Sequence, residues 1–209
     1  MCFLERRIIA MKSLLHKPLL SAVSILEFLV IVAALASAIM AQEIQGKVSG
    51  ARAGTVVYVD WISGKDFKGQ GKHVTMDQKG MTFRPHSLVV LRGTTVDFLN
   101  SDAVGHNVYW KSVGGDKSKG NNMGTWPQGQ TKSFVFWDAG AVPLLCNVHT
   151  EMSGYIFVVP TPYYALTKAD GSFDIKGVPQ GHLTLKTMGG GASKSKQVDV
   201  GAGITNVEL

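Results

Sequence analysis

The chain has 209 residues, 45% of them hydrophobic, with 24 glycines, a charged fraction of 17% and a formal charge of +6. That length holds one or two domains with a real core, and many glycines with few charges suit an all-β chain that turns often. The charge is mild and scattered and no basic run interleaves with aromatics, which excludes nucleic acid as a partner and leaves room for electrostatic steering towards an acidic protein.

In chain order, the first element is a leader. Arg6, Arg7, Lys12 and Lys17 precede an apolar run from Phe28 to Ala41, which gives way to the polar Gln42-Glu43. A basic segment, an apolar segment and small residues at the exit describe an export signal over residues 1–41, with cleavage after Ala36-Ser37-Ala38 or at Ala41. Met11-Lys12-Ser13 opens a more usual leader than Met1 does. The uninterrupted run is shorter than the roughly 20 residues of a spanning helix. A membrane anchor over Leu19 to Ala41 arises only if the segment stays uncleaved and Glu27 is tolerated. Either way the rest of the chain is expected outside the cytoplasm, in the periplasm or an equivalent space. Loss of the leader removes four bases and two acids (Glu5 and Glu27) and leaves a charge of about +4. It also removes Cys2, so Cys146 is left without a partner for an internal disulfide. Such a thiol is either buried and inert or engaged in chemistry.

After the leader, Gly, Asn, Asp or Pro punctuates the chain every eight to twelve residues. The runs Gly54 to Asp60, Ser87 to Leu91, Thr94 to Asn100, Thr131 to Phe136 and Gly154 to Val159 carry β-branched residues or period-two alternation and predict strands. The Gly-, Asn-, Ser- and Lys-rich stretch from Lys111 to Gln130 predicts a long surface loop with at most one helical turn. Pro160 and Pro162 mark a boundary. Beyond it, short strands are predicted at Ser172 to Ile175, His182 to Lys186, Lys196 to Val200 and Thr205 to Leu209. That section is small for an independent domain, and Glu43 to Trp61 are its expected packing partners.

The chemistry concentrates in Cys146-Asn147-Val148-His149-Thr150-Glu151-Met152, which offers a thiolate, an imidazole and a thioether on a short loop between two strand-like runs. His106 in Gly105-His106-Asn107-Val108 is the upstream partner, to be brought alongside by the strands of a sandwich. One thiolate and two imidazoles bind copper in three nearly coplanar directions, with a weak axial Met. Thiolate and thioether favour Cu(I) and imidazole accepts Cu(II), so a rigid compromise lets one electron come and go with little movement. Asn107 is placed to tie the His106 loop to the Cys146 loop. Met76, Met81, Trp110, Trp126 and Trp137 read as packing residues, His86 as a surface histidine, His73 and His182 as histidines in polar turns, and Glu151 as an exposed loop residue.

These residues, together with Met81 to His86 and Gly93 to Asp102, resemble the cupredoxins of plastocyanin and amicyanin type, the short ligand loop being amicyanin-like. The resemblance implies a Greek-key β-sandwich over residues 71–159 and one type 1 (blue) copper held by His106, Cys146, His149 and Met152, with His149 nearest the surface as the electron port. Ala169 to Leu185, with Ile44 to Val48 and Val56 to Val59, resembles carboxypeptidase regulatory-like domains. This implies a smaller transthyretin-like β-sandwich made of residues 42–70 with 160–209, into which the copper domain is inserted. Here Thr187-Met188-Gly189-Gly190 stands where that family commonly has an aromatic and a His.

The expected function is single-electron transfer between a donor and an acceptor protein, with non-catalytic copper binding, storage or delivery as the alternative. Open Met and His clusters, which suit labile copper, are absent from the sequence. Oxidase-type centres need H-x-H pairs and further histidines. The chain has no H-x-H and only five histidines beyond the leader, so it is not expected to be an enzyme.

Overall fold

The computed structural model describes residues 42–191 and 193–209; the predicted export signal at 1–41 lies outside them. Among the described residues sixteen strands follow one another: β1 (Glu43–Lys47), β2 (Val56–Val59), β3 (His73–Gln78), β4 (Phe83–Arg84), β5 (Ser87–Leu91), β6 (Thr94–Asn100), β7 (His106–Trp110), β8 (Asn121–Trp126), β9 (Thr131–Phe136), β10 (Gly140–Leu145), β11 (Ser153–Val159), β12 (Tyr164–Leu166), β13 (Ser172–Lys176), β14 (Gly181–Met188), β15 (Ser195–Val200) and β16 (Ile204–Glu208). A 3-10 turn at Lys117–Lys119 is the single helical element among the described residues, so the fold is all-β as expected. No helix among them is long and apolar enough to cross a membrane.

Two sheets, ordered β4-β3-β6-β9 and β5-β11-β10-β7-β8, form a sandwich. Alternate residues of both point inward, and Met76, Phe83, Phe98, Trp110, Phe136 and Ile156 share its core. The parallel pairs β3 with β6 and β5 with β11 join strands distant in sequence, so the chain passes repeatedly between the two sheets.

Two further sheets, β12-β2-β14-β15 and β13-β1-β16, form a smaller sandwich around Ile44, Val57, Phe173, Leu185 and Val207. Here β1 lies antiparallel to β13 and parallel to β16, while β2 pairs with β12 and β14.

The sandwiches meet face to face. In β11, Ile156 and Val158 enter the larger core, while Phe157 and Val159 face a third cluster with Val56 and Met188. In β2, Val57 and Val59 enter the smaller core, while Val56 and Tyr58 face that seam. With both faces covered, these strands read as continuous apolar runs instead of alternating ones. Each side chain taken out of water there contributes roughly 1.5–3 kcal/mol. Gly189, at φ +75, is required at the seam, since a Cβ on it would lie 2.8 Å from the Phe157 ring. Burial, and secondarily Asp60, pushes the Tyr58 phenol up to about 12.

The expected loop from Lys111 to Gln130 is corrected in its second half. Lys117–Lys119 makes the short turn, but Asn121–Trp126 is strand β8, pairing antiparallel with β7. As an edge strand it is covered by β7 on one side only, so it needs no apolar alternation, and a shift in register between Asn107 and Tyr109 further blurs its pattern. His73 and His182 also differ from expectation: they are the first residue of β3 and the second of β14 instead of lying in turns, each exposed beside an aspartate, Asp97 and Asp199 respectively.

Candidate metal centre

The site lies at one end of the larger sandwich, where two pieces of chain meet. His106 opens β7 directly opposite Trp126 of β8, and its side chain is fully buried. Cys146 follows the last residue of β10 and Met152 precedes the first of β11, so these strands present the loop between them. The loop is closed by backbone bonds: Cys146 N–H donates to the Met152 carbonyl at 3.2 Å, and Met152 N–H to the His149 carbonyl at 2.9 Å. Cys146 and Met152 are buried in the core cluster that also holds Val108 and Ile156. His149 is half-buried between the exposed Val148 and Thr150, and Glu151 is exposed as expected.

Folding thus gathers three donors from positions distant in the chain. The ligand atoms of His106, Cys146 and His149 all lie within 4.8 Å of one another. The His106 and His149 Nδ1 atoms face each other at 3.1 Å. Among the described residues no other group of His, Cys, Asp and Glu converges in this way. The donor set, a buried thiol and two imidazoles of which one is fully desolvated, matches what copper prefers over harder ions.

Hydrogen bonds hold two of the donors in place. Asp102 lies in the β6–β7 connection, and its Oδ2 meets His106 Nε2 at 2.8 Å. Its carboxyl is pushed down to about 2 chiefly by the Met81 and Gly80 amides, and further by His106. An ionised carboxylate only accepts, so Asp102 is placed to take a hydrogen from His106 Nε2, while Nδ1 faces the other donors. Asn107 serves the sulfur side. Its N–H donates to Cys146 Sγ at 3.4 Å. Its Oδ1 accepts from Asn147 N–H at 3.4 Å, and its Nδ2 donates to Asn122 Oδ1 at 2.8 Å. The expected tie between the two loops is present, and β8 extends it.

Asp102, Asn122 and the Gly80 and Met81 amides were not legible as parts of the site. Asp102 sits four residues before His106 inside a turn-rich stretch, where spacing carries no periodic meaning. Of the packing residues, Met76, Trp110 and Trp126 are buried, Trp137 is exposed over the turn at Gly93, and Met81 is exposed.

Residues 70–159 match the family of copper binding proteins, plastocyanin/azurin family. Among solved structures, a reduced amicyanin variant is 23% identical, covering 48% of this chain and 98% of that one, with a TM-score of 0.38. A reduced Cu(I) amicyanin variant at pH 4 is 24% identical, covering 49% and 97%, with a TM-score of 0.38. A purple cupredoxin from Nitrosopumilus maritimus is 24% identical, covering 42% and 98%, with a TM-score of 0.36. A comparison with curated proteins finds no match. Residues 70–159, somewhat under half of the chain, therefore carry the pattern of the plastocyanin/azurin copper-binding family, and their His-Cys-His cluster fits one copper ion.

Proposed function

We propose that this chain is an exported type 1 copper protein that carries single electrons between a donor and an acceptor protein outside the cytoplasm, with His106, Cys146, His149 and Met152 as ligands. The observation that carries this reading is the convergence of the His106, Cys146 and His149 donor atoms on one spot that is buried everywhere except at the half-buried His149. Copper bound there supplies one-electron Cu(II)/Cu(I) chemistry. The protein's own residues do the rest. Asp102 and Asn107 hold His106 and the Cys146 loop still, the core excludes water from the sulfur, and His149 offers the short path to a docked partner. A buried site tied by Asp102 and Asn107 suits fast electron transfer, and the sequence has no H-x-H pair of the kind oxidase centres use, so the reading is of a carrier and not an enzyme.

The same proposal takes residues 71–159 as a copper domain inserted into a carboxypeptidase regulatory-like sandwich of residues 42–70 with 160–209, delivered by the signal at 1–41. The broad seam around Phe157 and Met188 supports a fixed mounting of one sandwich on the other.

Voltammetry of the copper-loaded protein beside an excess of Cu(I) chelator tests the function. A carrier gives a reversible one-electron wave and keeps its copper through repeated cycles; surrender of the metal on reduction supports delivery or storage instead. Met152→Leu keeps core volume at a cost under about 1.5 kcal/mol and is expected to move the reduction potential while copper occupancy stays near wild type. An unchanged potential removes Met152 from the ligand set.

A further inference from the structure

The β6–β7 connection and the β3–β4 turn converge on Asp102. Asp102 Oδ2 meets His106 Nε2 at 2.8 Å, with the imidazole wholly buried and the carboxylate side chain 17% exposed. The carboxylate is itself held from the far side, where Gly80 N–H donates to Oδ1 at 2.7 Å and Met81 N–H to Oδ2 at 2.9 Å. Both donors sit in left-handed backbone, Gly80 at φ 67 and Met81 at φ 54. Met81 is the single non-glycine residue with positive φ among the described residues. Successive left-handed or turn residues aim consecutive N–H groups into one concavity, which is an anion nest. The Met81 side chain is 58% exposed, so packing does not explain why an L-residue stays in this conformation. The β3–β4 hairpin does: Lys79 N–H donates to the Thr82 carbonyl at 3.0 Å across a two-residue turn that takes positive φ at both central positions, and this turn presents both amides to Asp102. The connection is pinned in turn by Asn100, whose Oδ1 accepts from Asp102 N–H at 2.9 Å and whose Nδ2 donates to the Val104 and Trp126 carbonyls.

We propose that Asp102, seated in the Gly80–Met81 amide nest, is a positioning residue that fixes the His106 ring as its Nε2–H tautomer and thereby presents Nδ1 to the metal. This rests on reading His106 as a ligand. A buried imidazole has two tautomers, and only one leaves a lone pair on the nitrogen that faces His149 and Cys146. The hydrogen-bond chain runs from a surface turn, through one carboxylate, to the buried ligand. Any change that breaks the nest is therefore felt at His106, although the turn itself contributes no donor atom to the cluster.

The test compares the full chain with Asp102→Ala, Met81→Val and Met81→Gly. Long-range proton–nitrogen NMR correlations of the copper-free protein read the tautomer directly, and Cu(I) titration against a competing chelator reads affinity. Wild type is expected to show His106 with hydrogen on Nε2. Asp102→Ala is expected to show mixed tautomers and affinity lowered by about 10–100-fold, the usual effect of losing a partner behind a ligand. Glycine tolerates positive φ and a β-branched residue resists it. Met81→Gly should therefore match wild type, while Met81→Val should move part of the way towards Asp102→Ala. The Met81 pair decides the matter even if Asp102→Ala fails to fold. Hydrogen on Nδ1 in wild type, or an unaltered tautomer in Asp102→Ala or, where that variant does not fold, in Met81→Val, overturns the proposal. A blue wild type whose Asp102→Ala variant keeps the tautomer overturns this positioning role alone. A wild type with the expected tautomer but no blue band defeats the type 1 reading and leaves the positioning role standing.

Discussion

In the larger sandwich His106 pairs with Asp102, the two side chains being 0% and 17% exposed, whereas in the smaller one His182 pairs with Asp199 at 93% and 81%. The residue types are the same and so is the all-β scaffold. The first pair is more shielded from solvent, its carboxylate is held by two backbone amides, and the other ring nitrogen faces two more donors. The exposed pair competes with water and salt and faces no third donor of a metal-binding group, so its geometry constrains little. A histidine beside an aspartate is thus only a beginning. Burial and converging neighbours turn such a pair into a site, and in this chain they arise where the β6–β7 connection meets the β10–β11 loop.

That contrast can be broken most sharply at the sulfur. Cys146→Ser is expected to abolish the intense blue thiolate-to-copper absorption completely while far-UV circular dichroism still reports a β protein. A retained blue band would rule out the ligand assignment. The next largest effect is expected away from the site. Phe157→Ala, in the seam between the sandwiches, should lower stability in chemical denaturation by about 3–5 kcal/mol and leave the blue band in place, because Phe157 points away from the core that holds Cys146. A bleached site in that variant would show the two sandwiches to be coupled through more than packing. Asn107→Ala should cost about 1–3 kcal/mol by stranding its partners, and should shift both the band and the potential, since the Asn147 amide loses its acceptor. Displacement of stability without any change in the spectrum would limit Asn107 to a structural tie. The smallest effect is expected for His182→Ala, with melting temperature and spectrum both unchanged; a changed spectrum would mean that the exposed pair communicates with the buried one after all.

Much of this contrast was legible in the residues. Strands β5, β6 and β9 fall at the residues that alternation predicts, because each has at least one inward face with period two. The Cys146–Met152 loop was legible as a candidate because its thiol, imidazole and thioether are neighbours in sequence. His106 could be added because a thiolate with one imidazole calls for another. Three features were hidden for physical reasons. Strand β8 is polar because it lies on a sheet edge, so composition marked it as loop. Asp102 acts through a turn whose shape depends on amides from a different strand pair. The stacking of the two sandwiches depends on which face of β2 and β11 each residue takes, and a run buried on both faces loses the alternation that would reveal it.

The visible and electron paramagnetic resonance spectra of the copper-loaded, oxidised protein bear most directly on the central claim that His106, Cys146 and His149 form a type 1 centre. An intense blue band with narrow copper hyperfine splitting is the predicted result. A nearly colourless Cu(II) form with wide splitting, as from copper held by nitrogen and oxygen without the Cys146 thiolate, would contradict it.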